Sequence, residues 1–200
     1  MLEWFQQGGL IMWILLAVSV LSWCVIFERF YVILIESRNA SRLGKKLDRT
    51  GFDRNAVLEA LGDSSSALAA VLRGVGENAR LKKEDNLFLT RSMIREQTGR
   101  LERGLTFLEI AASASPLLGL LGTVLGMVEV FGVIAKIGVG DPTLLSSGIS
   151  RALNTTVFGL IVAIPALAAY SVYGRKIENL VRSIEKYATR ALSEIYRSNR

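Results

Sequence analysis

The chain has 200 residues, is 50% hydrophobic with a mean hydropathy of +0.36, and is 21% charged, with a net charge of +6. That is too apolar for an ordinary soluble domain and too charged for a chain held wholly in lipid, so the composition predicts an integral membrane protein with one sizeable aqueous part. One cysteine and no histidine exclude a disulfide framework, a cysteine-based zinc site within one chain and a histidine general base.

The first nine residues contain no Lys or Arg. Residues 10–27 are free of charge and end at Glu28 and Arg29. A signal peptide needs a basic leading region, and a lipoprotein site at Cys24 fits poorly after Trp23. The stretch instead predicts a first transmembrane helix over 10–35, after an outer segment 1–9. Trp4, Trp13, Phe30 and Tyr31 suit its interfaces.

Residues 36–107 carry fourteen Lys or Arg and no strand alternation. Val57, Leu58, Leu61 and then Leu68, Val71, Leu72, Val75 recur at helical spacing, with a break at Gly62–Ser66. Glu84, Asp85 and Asn86 suit the start of a long helix, with carboxylates near free backbone N–H groups and a capping side chain. From Leu87 to Leu108 no strong breaker interrupts the run into a second span. The basic residues alternate with acids and lack interleaved aromatics, which argues against nucleic acid.

Two long apolar stretches follow, predicting transmembrane helices over 108–136 and 144–173 joined by a loop at 137–143. Each exceeds the roughly 20 residues that cross a bilayer core. Pro116 removes one backbone hydrogen bond and should bend or loosen its helix. Asp141 and Pro142 suit the cap and first position of the third helix. Beyond the span, residues 174–200 continue one apolar stripe, Ile177, Leu180, Ile184, Ala188, Ala191 and Ile195, and predict a helical tail packing on the 36–107 region. The tail has seven basic residues and the 137–143 loop none, so the positive-inside rule places 36–107 and the tail in the cytoplasm and the loop and N-terminus outside.

Small residues form rows at Ala111, Ser115, Gly119, Gly122 and Gly126, and at Ala152, Thr155, Gly159, Ala163 and Ala166. Such rows let helices approach closely in lipid, either within one chain or between subunits around a central space. In an antiparallel hairpin, residues at one depth share a common sum of numbers. Thr123 and Thr156 sum to 279, and Glu129 and Arg151 to 280, so two polar pairs fall level. With Thr155 and Asn154 alongside, the threonines suggest a polar zone. Each alone could simply bond its own helix backbone. Glu129 and Arg151 suggest an intramembrane charge pair, or charges that snorkel to the outer interface. No nucleotide loop, nucleophile triad or metal cluster is present, so no enzyme and no cofactor is expected.

At SPLLGLLGTVLG (115–126) and GISRALNTTVFGLIVAIPALAAY (148–170) the chain resembles the MotA/TolQ/ExbB family of inner-membrane proton-channel proteins. Three spans and a short chain look like its ExbB/TolQ branch. The resemblance implies an all-α protein of the bacterial inner membrane, with long helices extending into a cytoplasmic bundle. It implies a homopentamer around a dimer of a single-span ExbD/TolR-type partner whose transmembrane aspartate carries the proton. A TonB/TolA-like envelope-spanning protein would receive the work. Thr123 and Thr156 match the family's pore-facing threonines. Arg151 stands where many members carry glutamate. A membrane scaffold or a solute channel without mechanical output are the competing readings.

Overall fold

The computed structural model describes residues 9–62, 64–137 and 142–198, with the side chains of 136, 137, 142–145, 147, 151 and 198 outside that description. Every element among the described residues is helical: α1 (Gly9–Thr50), α2 (Arg54–Leu61), α3 (Ala67–Glu77), α4 (Lys83–Glu102), α5 (Leu105–Ile137) and α6 (Pro142–Ser198). Among the described residues, three helices are long and apolar enough to cross a membrane, over Gly9–Thr50, Leu105–Ala135 and Gly148–Arg197. The chain divides into two units, Met1–Glu28 with Gly104–Val172, and Arg29–Arg103 with Tyr173–Arg200.

The first unit holds the start of α1, all of α5 and the first half of α6. Its outward surface is apolar, with Leu117, Leu125, Val128, Ile161 and Ile164 all exposed. In water such a surface would aggregate; in lipid it is the expected solvent-facing composition. Both α5 and α6 continue through a proline, Pro116 and Pro165. The second of these was not singled out from the sequence.

The second unit is a helical bundle with a conventional core. Leu47, Leu68, Leu72, Val75, Ile177, Ile184 and Ile195 are essentially inaccessible. Local chemistry fixes its short helices. The Asp53 side chain accepts from the Ala56 N–H at 3.1 Å and the Ser66 hydroxyl from the Ala69 N–H at 3.3 Å, which satisfies orphan donors at the starts of α2 and α3. Glu36 adds a carboxylate at the start of α3, accepting from the Ala67 N–H at 3.0 Å. At the other end of α2, Lys46 donates to the Glu59 and Ala60 carbonyls. The tail of α6 packs here as well. Tyr187 stacks on Phe52 and donates to Asp48, which also pairs with Arg190 at 2.8 Å.

Two sequence expectations are corrected. The run from α4 into the second span is interrupted at Arg103 and Gly104, where Gly104 takes φ +84°. A lone glycine in a helical pattern is a weak breaker by propensity, but the left-handed conformation it adopts ends α4 outright. Asn86 does not cap α4. It is fully buried, donating to the Val75 carbonyl at 3.1 Å and to the Tyr196 hydroxyl at 3.2 Å, and so ties α3 and the α6 tail together. The expected Asp141 cap lies outside the described residues.

Candidate functional site: a threonine cluster between two apolar helices

The α5–α6 contact is built from missing side chains. A Cβ on Gly119 would lie 2.8 Å from the Thr155 carbonyl oxygen and 2.9 Å from the Thr156 Cα. One on Gly159 would lie 2.5 Å from the Ser115 carbonyl oxygen. Both sites therefore have helix backbone against helix backbone. Gly122 leaves room for the Thr155 side chain and Gly126 for Ala152. The two small-residue rows thus face each other within a single chain, the close approach that lipid-embedded helices use in place of hydrophobic drive.

That closeness brings three hydroxyls together. The Thr123 and Thr156 hydroxyls are hydrogen-bonded to each other. Thr123 also reaches the Gly119 carbonyl at 3.2 Å and the Ala152 carbonyl at 3.1 Å. Thr155 reaches the same two carbonyls at 3.0 and 2.7 Å, and Thr156 reaches Gly119 at 3.2 Å. Three protons are thus shared among two carbonyls and the hydroxyls themselves. Each hydroxyl has one donor and two acceptor lone pairs, so the cluster uses its donors internally and retains acceptor capacity. Thr123 and Thr156 are half-buried, whereas Thr155 is 2% exposed.

The other sequence candidates fall elsewhere. Asn154 is half-buried, and at 100° per residue it projects about 160° from Thr156, away from the cluster. Glu129 is exposed, six residues beyond Thr123. The Arg151 side chain lies outside the described residues. Pro116 sits one turn before Gly119 on the same helix. Sequence reasoning missed the two carbonyl acceptors at Gly119 and Ala152, because backbone groups carry no residue signature. It also missed that the Ser115 hydroxyl is fully buried with no hydrogen-bond partner among the described residues, an arrangement that costs about 1–3 kcal/mol.

Residues 64–186 match the model of the MotA/TolQ/ExbB proton channel family. The chain is 33% identical to biopolymer transport protein exbB1 of Vibrio cholerae over 172 residues, covering 82% of this chain and 74% of that protein. It is 32% identical to the Tol-Pal system protein TolQ of Pseudomonas aeruginosa over 193 residues, 86% of this chain and 80% of that protein. Biopolymer transport protein ExbB of Salmonella typhimurium is 29% identical over 194 residues, 89% of this chain and 77% of that protein.

Proposed function

Because the chain belongs to the MotA/TolQ/ExbB proton channel family, we propose that it is the channel subunit of an inner-membrane motor coupling proton-motive force to work at the cell envelope. It is an energy-transducing membrane subunit, in a family of channels rather than enzymes. In this reading several copies, five by the family resemblance, surround a single-span ExbD/TolR-type partner. The partner's transmembrane aspartate carries the proton. The work is outer-membrane import or envelope maintenance, passed on through a TonB/TolA-like protein.

The observation that carries this reading is the paired Thr123 and Thr156 hydroxyls at one depth on facing helices. A carboxyl group that must cross a bilayer is tolerable only when neutral or well solvated. One hydroxyl of the pair donates to the other, whose own proton goes to the Gly119 or Ala152 carbonyl, so the pair keeps lone pairs to offer to the O–H of a protonated acid. Rotating one hydroxyl lets it donate to the carboxylate instead, at the cost of a backbone bond. The cluster therefore solvates both protonation states of a passing acid without a titratable group of its own. A proton crossing 100 mV releases about 2.3 kcal/mol, enough to bias a conformational cycle. A scaffold would have no use for half-exposed hydroxyls with spare acceptor capacity.

Replacing Thr156 by Val keeps the shape and removes the hydroxyl. We expect the complex to assemble but to lose proton-coupled work by tenfold or more, about 1.4 kcal/mol in the rate-limiting barrier. Proton uptake by proteoliposomes holding the chain and its partner measures this. Wild-type uptake in both Thr123→Val and Thr156→Val would reject the channel role of the pair.

A further inference from the structure

The helical bundle carries a groove that neither its core nor the threonine cluster uses. It encloses about 450 Å³ between α1 and the tail of α6. Its floor is apolar and buried, made by Ile33, Ala40 and Leu180. Its walls are polar, with Ser37, Ser41 and Lys45 on α1 and Lys176, Asn179 and Ser183 on α6. Among the described residues no carboxylate lines it.

The polar groups of the walls are unspent. Arg100, Arg182, Arg190 and Arg197 all pair with acids, whereas Lys45 and Lys176 have no ion pair or hydrogen bond among the described residues. The hydroxyls of Ser22, Thr50, Thr98 and Ser113 each donate to the carbonyl four residues back. Those of Ser37, Ser41 and Ser183 make no hydrogen bond among the described residues, and neither does the Asn179 amide. Acids on the flanks are turned away or engaged. Glu178 and Glu185 lie about 100–180° around α6 from the lining residues. Glu36 accepts from the Ala67 N–H, and Asp48 pairs with Arg190. Spare ammonium, hydroxyl and amide donors with no competing acid suit an anion.

Position selects the kind of anion. Along α1, Ile33 is six residues, about 9 Å, past Phe27, where the uncharged run ends. A headgroup layer is about 5–8 Å thick, so the groove opens at its aqueous edge. Lys176 is three residues, about 4.5 Å, past Tyr173. Helical side chains lean toward the N-terminus, which for Lys176 is toward the bilayer. Lys45 lies about 18 Å beyond Ile33, out of a headgroup's reach. An apolar track leads the other way. Phe27 and Phe30 are exposed and lie about 60–120° from Ile33, within the arc of α1 that Ser37, Ser41 and Lys45 span. A polar seat that opens onto an apolar track matches an amphiphile.

We propose that the bilayer end of this groove binds the phosphate of an anionic phospholipid. Lys176 supplies the positive charge, Ser37 and Asn179 donate hydrogen bonds, and the acyl chains lie along Phe30 and Phe27. Basic pockets between membrane helices at the lipid surface bind anionic headgroups by the same chemistry. The proposal is independent of the channel reading.

Native mass spectrometry of the whole chain in neutral detergent, titrated with phosphatidylglycerol or phosphatidylcholine, tests it. Phosphatidylglycerol should bind about fivefold more tightly, the worth of one lysine at a lipid surface. Lys176→Gln should abolish that preference and Lys176→Arg should keep it. Asn179→Leu leaves every charge in place and should still weaken phosphatidylglycerol binding about threefold, as one lost hydrogen bond does. Lys45→Gln should change it less than about twofold, because that ammonium lies too deep. A wild-type chain with no preference, or an unchanged preference in Lys176→Gln, overturns the proposal. So does an unaffected Asn179→Leu beside a weakened Lys176→Gln, which marks diffuse surface charge. Equal losses in Lys45→Gln and Lys176→Gln, with inorganic pyrophosphate displacing the lipid, mark a soluble-anion site and reject the lipid. A change in the number of associated copies, with bound lipid unaltered, marks a contact between subunits and rejects it too.

Discussion

Glu129 and Arg151 present the sharpest electrostatic question at the scale of single residues. They share a depth on antiparallel helices, as the sum of their numbers shows, and Glu129 is exposed on one chain. Burying either charge alone in an assembled membrane complex would cost several kcal/mol, and pairing recovers much of that. We propose an ion pair, within a chain or between neighbours, that compensates for an arginine standing where many family members carry glutamate. Glu129→Arg and Arg151→Glu should each lower the yield of assembled complex several-fold, and the double exchange should restore it. A double exchange no better than the worse single change rejects the pair. If both single changes assemble and only Arg151→Glu alters flux, Arg151 acts on the partner's aspartate instead.

Among the elements, α6 does the most, because one helix carries the threonine face in its first half and closes the polar bundle with its second. Ile177, Ile184, Ala188, Ala191 and Ile195 are at most 2% exposed, a stripe at helical spacing that was legible in the sequence from its period alone. An aspartate at Ile184 would bury an unpaired carboxylate and should destabilise the bundle by about 4 kcal/mol or more. The expected readout is loss of assembled protein from membranes, with Lys186→Asp, on the exposed side, retaining it. Normal assembly of Ile184→Asp would mean that the tail is not part of the core. The three apolar helices were legible for another reason, apolar runs long enough to cross a bilayer core. Periodicity carries no information on where a lone glycine such as Gly104 turns left-handed. Nor does it reveal that Asn86 is spent on a carbonyl and a tyrosine across the bundle rather than on its own helix. The depth of Thr123 and Thr156 followed from counting along a hairpin. Their shared carbonyl acceptors depend on the backbone approach at Gly119 and Gly159, which the small-residue rows suggested without saying whether the facing helix belongs to the same chain.

For the whole molecule the remaining variable is its direction across the bilayer. Of 24 basic residues, fourteen fall in 36–107 and seven after Gly174, against none in 1–9 or 137–143. Positive residues near span ends are retained on the cytoplasmic side, so we propose that both polar segments are cytoplasmic and the α5–α6 loop is periplasmic. This orientation matters to the mechanism. It makes the Leu105 end of α5 the exit for protons driven inward, and the Glu129 end the entrance. Cys24 is the only cysteine, so its replacement by serine gives a background for site-directed labelling. In that background a cysteine at position 140 should react with a membrane-impermeant maleimide added to cells with a permeabilised outer membrane. One at Ser92, exposed on α4, should react only after the inner membrane is opened. The reverse pattern would invert the path, making the Leu105 end of α5 the side from which protons enter.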